Sequence, residues 1–318
     1  MTSLAIIAGD SLALDQLLDA LSDSAVVDTV KLFSASADDY EPAMYAGRPL
    51  DVRSLDALDP AAFSFLLLMP GTHQPDMIER AEASACCVLD ASDVLAQRDD
   101  VPLFAGGALD RDARVLAIAD AVSAHVAAVL AVVPGIRRVD LAVAQPVSSA
   151  GQTAVNALAA ESARLLNGQG LEESALGAQI AFNVLPLSAD VSAEIEHNLG
   201  RLLSSIEQSV EVSCQSMLAP VFYGHCVMLR VACDAPVVLS ELRATLLADE
   251  RFRLFPGDDG ELASPAGLAE SEGIDISNLT LDRQSDTVFR CAIVADNLRK
   301  GVVLNTIAAL KILIKSDT

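Results

Sequence analysis

Asp296, Asn297, Arg299 and Lys300 crowd into one short stretch, DNLRK, directly after an apolar run. Asp296–Asn297 can cap a helix by accepting hydrogen bonds from its first free N–H groups. Arg299 and Lys300 then fall in the first turn, where the helix dipole disfavours cations unless an anion or carboxylates compensate. Two readings stay open: a phosphate held at the helix N-terminus, or a surface Arg–Lys pair facing Asp296. Elsewhere, six cysteines (86, 87, 214, 226, 233 and 291) form neither a C-x-x-C pair nor a zinc-like spacing. Most lie in apolar runs, where a free thiol behaves as a small hydrophobe, so they are expected reduced and structural. The four histidines are far apart in sequence, and no metal site is expected.

A strand before DNLRK and a helix after it would position these side chains. Cys291–Val294 is strand-like, and Val303, Ile307, Leu310 and Ile314 recur at helical spacing, which makes one face apolar. Upstream, Ser3–Ala8, Val26–Phe33, Phe63–Met69 and Cys86–Leu89 read as strands, with helices at Leu12–Leu21 and Ile78–Ala85. Phe63–Met69 is apolar apart from Ser64, as a parallel strand buried on both faces should be. Strands alternating with helices imply an α/β, doubly wound parallel sheet of the dinucleotide-binding kind. Further on, Val139–Gln145, Cys226–Cys233 and Val288–Ala295 read as strands. Gly151–Leu166 and Ser192–Ser205 read as helices, the latter with Ile195, Leu199, Leu202 and Ile206 on one face. Pro256–Gly273, rich in Gly, Asp, Pro and Ser, reads as an exposed loop.

The chain has 318 residues, enough for about two domains. Its net charge of −23 argues against nucleic acid and anionic membrane as partners, because both would be repelled. No run is long and apolar enough to span a bilayer. The N-terminus, MTSLAIIAGD, lacks a basic n-region, so no signal peptide is expected and the protein is placed in the cytoplasm.

VADNLRKG with the following LN resembles the closing signature of the aspartate-semialdehyde dehydrogenase family. Other landmarks agree along nearly the whole chain. QPVSSAG (145–151) is similar to the family's Q-A-V-S-G-A-G turn, AFNVLPL (181–187) to its IAFNxIP run, and APVFYGH (219–225) to its R-V-P-V-x-x-G-H. The resemblance implies that Gln145 stands where a glutamine orients the acyl intermediate, and His225 where a histidine acts as general acid/base. It also implies that Met69–His73, MPGTH, is the turn covering the cofactor, with Gly71 in it. VLDAS (88–92) and DVPL (100–103) resemble the next landmarks.

The same resemblance exposes what is missing. The family's nucleophilic cysteine, held as thiolate at a helix N-terminus, falls on Ala121, with Asp120 before it. Ser123 lies two residues on and about 200° round a helix, so it does not substitute. The arginine that grips the substrate carboxylate falls on Leu218, which cannot form a bidentate pair. The arginine for the substrate phosphate falls on Ala96, with Arg98 nearby. A substrate-binding Glu can fall on Glu194 or Glu196, and the accompanying Lys has no counterpart. The three glycines of the dinucleotide fingerprint fall on Ala8, Ser11 and Leu14, and only Gly9, one place off, survives. Ser34 matches a serine offered to a 2′-phosphate, but the neighbouring arginine position is Ser36, and Asp38–Asp39 follow. Cys226 alternates away from His225 along the strand, which weakens a Cys–His dyad.

These residues resemble the Usg-type side branch of the family. The resemblance implies a Rossmann-like domain of residues 1–118 plus 299–318 and an α+β dimerisation domain of residues 119–298. The expected function is a catalytically silent homodimer serving structure or interaction, a pseudoenzyme, with a further protein partner left open. An alternative is an NAD(P)-dependent oxidoreductase acting on an aldehyde or oxo group without a thioester; a third reading is a small-molecule sensor using the old cleft. Gly9, Ser34, Gly71, Asn297, Arg299 and Lys300 are the positions where NADP or NAD would bind, weakly if at all.

Overall fold

A computed structural model describes residues 1–9, 12–37, 43–171, 174, 176–204, 209–255, 262–270 and 273–314. Asp10, Ser11, Asp38, Asp39 and Ile206, to which the sequence attaches expectations, lie outside the described residues. So do 256–261 and 271–272. In chain order the elements are β1 (Ser3–Ile7), α1 (Leu14–Ser24), β2 (Thr29–Ser34), β3 (Ala43–Tyr45), β4 (Arg48–Leu50), β5 (Val52–Ser54), β6 (Phe65–Leu68), α2 (Pro75–Glu82), β7 (Cys87–Asp90), β8 (Leu103–Phe104) and β9 (Val115–Ile118). There follow α3 (Ala121–Leu130), β10 (Ile136–Gln145), α4 (Gly151–Leu166), β11 (Leu185–Pro186), α5 (Ala189–Ser204), β12 (Glu211–Leu218), β13 (His225–Cys233), α6 (Leu239–Leu247), β14 (Phe252–Leu254), β15 (Ile274–Asp282), β16 (Ser285–Ala295) and α7 (Leu304–Ile314). Contacts divide the chain into two compact units, Met1–Asp120 with Gly301–Thr318, and Ala121–Lys300.

The first unit is Rossmann-like. Its sheet is wholly parallel, in the order β5-β2-β1-β6-β7-β9-β8. The central strands carry apolar residues on both faces, and every residue of β6 is buried. Two boundaries differ from the sequence expectation for local reasons. Ala25 adopts φ +47 and its N–H returns to the Leu21 carbonyl, so α1 closes there and β2 starts only at Thr29. Pro75 provides a pre-set first helical residue, so α2 begins three residues before the expected Ile78.

Gly9 follows β1 and is pressed against the turn after β6. A Cβ there would lie 2.8 Å from the Pro70 carbonyl oxygen and 2.9 Å from both Gly71 C and Thr72 Cγ2. Close backbone approach between these two turns therefore requires glycine at this place, with or without a phosphate.

The second unit is a mixed seven-stranded sheet, ordered β11-β12-β10-β13-β16-β15-β14. Val139, Leu141 and Val143 pair with Val231, Leu229 and Val227, which pair with Phe289, Cys291 and Ile293. All nine are buried, so one face of the sheet is a continuous apolar surface. The other face carries Arg138, Asp140 and Ala142 on β10, Cys226, Met228 and Arg230 on β13, and Arg290 on β16; Met228 is 55% exposed. On the outer edge of β12, the Cys214 N–H donates to Glu196 Oε1 at 2.6 Å and the Ser216 N–H to Ser192 Oγ at 3.1 Å. These side chains of α5 satisfy backbone donors that an edge strand would otherwise expose. Pro256–Gly273 is not loop throughout, because Pro265–Glu270 forms a 3-10 turn with Leu268 buried.

Candidate functional site

The last rung of the second sheet gathers three positions that the sequence resemblance singles out. β10 and β13 pair antiparallel up to Ala144–Cys226, so Gln145 and His225 come next on the covered face. Leu218 is registered with Gln145, and Ala295 with His225. The row therefore runs Leu218, Gln145, His225, Ala295. Gln145 is half-buried, while Leu218 and His225 are buried. Leu218, where the sequence resemblance puts the carboxylate clamp, offers no hydrogen bond.

Ala121 is the first residue of α3, where an N-terminus would favour a thiolate. Its side chain is a methyl group. One turn further, on the same helical face, stands His125. Its Nδ1 lies 3.2 Å from Nε2 of His225, with ring centroids 5.1 Å apart and planes tilted by 41°. Both rings are buried, at 4% and 1% exposure. Burial pushes His225 down to about 4, since charging an imidazole there forfeits its hydration. Burial also holds His125 well below the usual histidine range, and the His225 and Lys300 charges push it the same way. At neutral pH the two imidazoles form a neutral hydrogen-bonded pair. Their far nitrogens, His125 Nε2 and His225 Nδ1, have no hydrogen-bond partner. Ser123 is buried and lies 3.4 Å from the Ile195 carbonyl, facing α5.

The turn before His225 is fixed from the other side. Asn297 Oδ1 accepts the Gly224 N–H at 2.9 Å, and its Nδ2 donates to Ser148 Oγ at 3.1 Å. Asn297 thus clamps APVFYGH to QPVSSAG, with its amide engaged by protein. Gly224 needs its φ of +80, and a Cβ there would sit 2.5 Å from Leu268 Cδ1. Asp296 Oδ1 accepts from the Leu298 and Arg299 N–H groups at 2.8 and 2.9 Å, the expected cap. A π-helical turn, Arg299–Val303, leads from this cap into α7. Arg299 is exposed and Lys300 half-buried. Cys226, next to His225 in the chain, alternates to the open side of the sheet, and Cys86, Cys87 and Cys291 have thiols raised chiefly by burial. No group of three or more metal-ligating side chains occurs among the described residues.

In the first unit, Gly9 and Gly71 meet where the turns after β1 and β6 press together. Ser34 is buried, and its hydroxyl accepts the Ser36 N–H at 3.2 Å, closing its own turn. Ala96 is a core residue. Arg98 is held by Glu82 at 3.1 Å and Asp100 at 2.7 Å, a surface ion-pair arrangement rather than a replacement phosphate clamp. Two of the three positions where the resemblance puts the fingerprint glycines hold Ala8 and Leu14, and Leu14 is buried in the first turn of α1. His125 is absent from the sequence expectations, although helical arithmetic places it one turn from Ala121.

The model of the semialdehyde dehydrogenase dimerisation domain matches residues 128–300. The aspartate-semialdehyde dehydrogenase of Legionella pneumophila is 27% identical over 285 residues, covering 82% of each chain. A USG-1 protein homolog of Azotobacter vinelandii is 27% identical over 311 residues, covering 91% of this chain and 90% of that one. The fold matches a probable aspartate-semialdehyde dehydrogenase from Pseudomonas aeruginosa with a TM-score of 0.89 at 23% identity, across 100% of this chain and 99% of the other. The chain belongs to the aspartate-semialdehyde dehydrogenase family and resembles its USG-1 branch.

Proposed function

We propose that this chain is a homodimeric family member that does not perform NADP-dependent reductive dephosphorylation of an acyl phosphate, and that it serves as a structural or interaction protein. The observation that carries this reading is Ala121 at the head of α3, with His225 turned to His125 one turn deeper. A methyl group cannot attack an acyl phosphate or carry an acyl chain. Leu218 and the buried Ala96 remove the two anion clamps independently. The degenerate glycine loop adds weak or absent nucleotide affinity.

The homodimer is supported by the family's dimerisation-domain match and by the open face of the second sheet. On that face Met228 is flanked in its rung by Ala142 and Ala292. Along one end, Glu211, Arg138, Asp140, Arg230, Asp282 and Arg290 form a ladder of alternating charge. An apolar centre beside balanced charges suits a two-fold, self-complementary interface. Light scattering should give twice the chain mass, and Met228→Asp should shift it toward the monomer. With aspartate semialdehyde, phosphate and NADP⁺, absorbance should stay at the level of a His225→Ala control. Turnover above that control overturns the reading. Heat on titration with NADP⁺ or NAD⁺ would instead support direct hydride transfer on another substrate.

A further inference from the structure

We propose that the charge ladder on the open face of the second sheet fixes how a second copy of this chain docks there. The two-fold axis runs along the strands, between β10 and β13, and Asp140 of each copy faces the partner's Arg230. This rests on the homodimer proposed above and adds its orientation and the residues that select the partner. The ladder is held within one chain by Arg138–Asp140 at 2.8 Å, Arg138–Glu211 at 3.1 Å and Arg230–Asp140 at 3.3 Å, and it continues through Asp282 to Arg290. Three carboxylates meet three guanidinium groups, so this strip is neutral on a chain of net charge −23. Two copies repel through their net charge, and a neutral strip beside an apolar centre is where they can approach. Arg138, Arg230 and Arg290 keep 46%, 43% and 57% of their side-chain surface exposed, so the strip still presents charge outward.

Two sheets docked face to face are related by a two-fold axis lying in the plane between them. Such a rotation keeps positions along the axis and reverses positions across it. With the axis along the strands, each rung meets its own counterpart while the strand order reverses, so β10 lies over the partner's β13 and β12 over the partner's β16. Asp140 and Arg230 share one rung, and Ala142 and Met228 share the next but one residue along. Asp140 then faces the partner's Arg230, and Met228 faces the partner's Ala142, so charge meets opposite charge and apolar meets apolar. At the ladder's ends, Glu211 lies two residues along the strand from the rung of Arg290, about 7 Å, which an arginine side chain spans. An axis laid across the strands gives worse matches. Through the Asp140 rung it sets Asp140 on the partner's Asp140 and Arg230 on the partner's Arg230, and like charges so placed are costly. Through the Met228 rung it presses Asp140 and Arg230 onto the partner's Ala144 and Cys226, which desolvates both charges without new partners.

The test is a charge exchange on the full chain, read by native mass spectrometry and by sedimentation over a dilution series. Asp140→Lys alone puts lysine against the partner's Arg230, and Arg230→Glu alone puts glutamate against the partner's Asp140. Self-association of each variant should weaken at least about tenfold. Mixed in equal amounts, the two should pair with one another, because both contacts across the axis are then opposite in sign, and the mixed dimer is told from either self-dimer by its mass. Circular dichroism checks that each variant is folded. Glu211→Lys and Arg290→Glu, at the exposed ends of the ladder, run the same exchange if a central variant fails to fold. A single-chain mass for the unaltered protein overturns the homodimer and this proposal together. An unaltered dimer whose variants self-associate as tightly as it does, or whose weakened, folded variants fail to pair when mixed, overturns this orientation and leaves the homodimer standing.

Discussion

Replacing both His125 and His225 by glutamine should flatten the dependence of stability on pH between 7.5 and 5.5. Each histidine is buried neutral in the folded chain and free to charge in the unfolded one. Its folded value is depressed below the ordinary 6.5, so the unfolded state binds more protons as pH falls. The stability is fully present above about pH 6.5 and is lost progressively as the pH drops toward the folded value, which is about 4 for His225. At about 1.36 kcal/mol per pH unit, His225 accounts for roughly 1.4 kcal/mol between pH 7.5 and 5.5. His125 adds to this in the same direction. Depressed carboxylates such as Asp140 and Glu161 act in a lower window and are common to both proteins. Urea unfolding followed by circular dichroism at the two pH values, in chloride-balanced cationic buffers, measures the difference. The unaltered protein should lose at least about 1.4 kcal/mol more than the double variant; equal losses would refute the buried neutral pair.

Asn297→Ala should cost about 2–4 kcal/mol, because it leaves the Gly224 N–H and Ser148 hydroxyl buried without their partner; denaturant midpoints check this, and an unchanged midpoint contradicts the clamp. Gly224→Ala should destabilise by about 1–3 kcal/mol through a positive φ and a contact with Leu268; hydrogen exchange should quicken at the start of β13 before it does elsewhere. Gly9→Ala should lower the melting temperature by several degrees, since the added carbon meets backbone at Pro70 and Gly71; a neutral effect would mean that the two turns separate freely.

Much of the fold is legible in the sequence because its signals are local. β6 reads as a buried parallel strand from the apolar residues of Phe63–Met69, and Asp296 caps where its residue type and position suggest. The site is less legible because it depends on register and on a helix without a polar side. Leu218, Gln145 and His225 are each recognisable from their motifs. That they share one rung follows only from the pairing of β10 with β12 and β13. α3 is buried nearly all round, so no amphipathic stripe indicates which face meets the sheet, and His125 reads as one more residue of an apolar run. Composition misleads at 256–273, where Leu268 is buried against Gly224 rather than exposed. The broken glycine pattern is visible, but the reason for keeping Gly9 is not, because it lies in a turn some sixty residues later.

The most direct measurement is the intact mass of the protein after incubation with β-aspartyl phosphate, followed by peptide mapping. With alanine at the head of α3, the account predicts no acyl adduct on any of the six cysteines. A stoichiometric thioester on any of them, lost on adding NADPH, would contradict it.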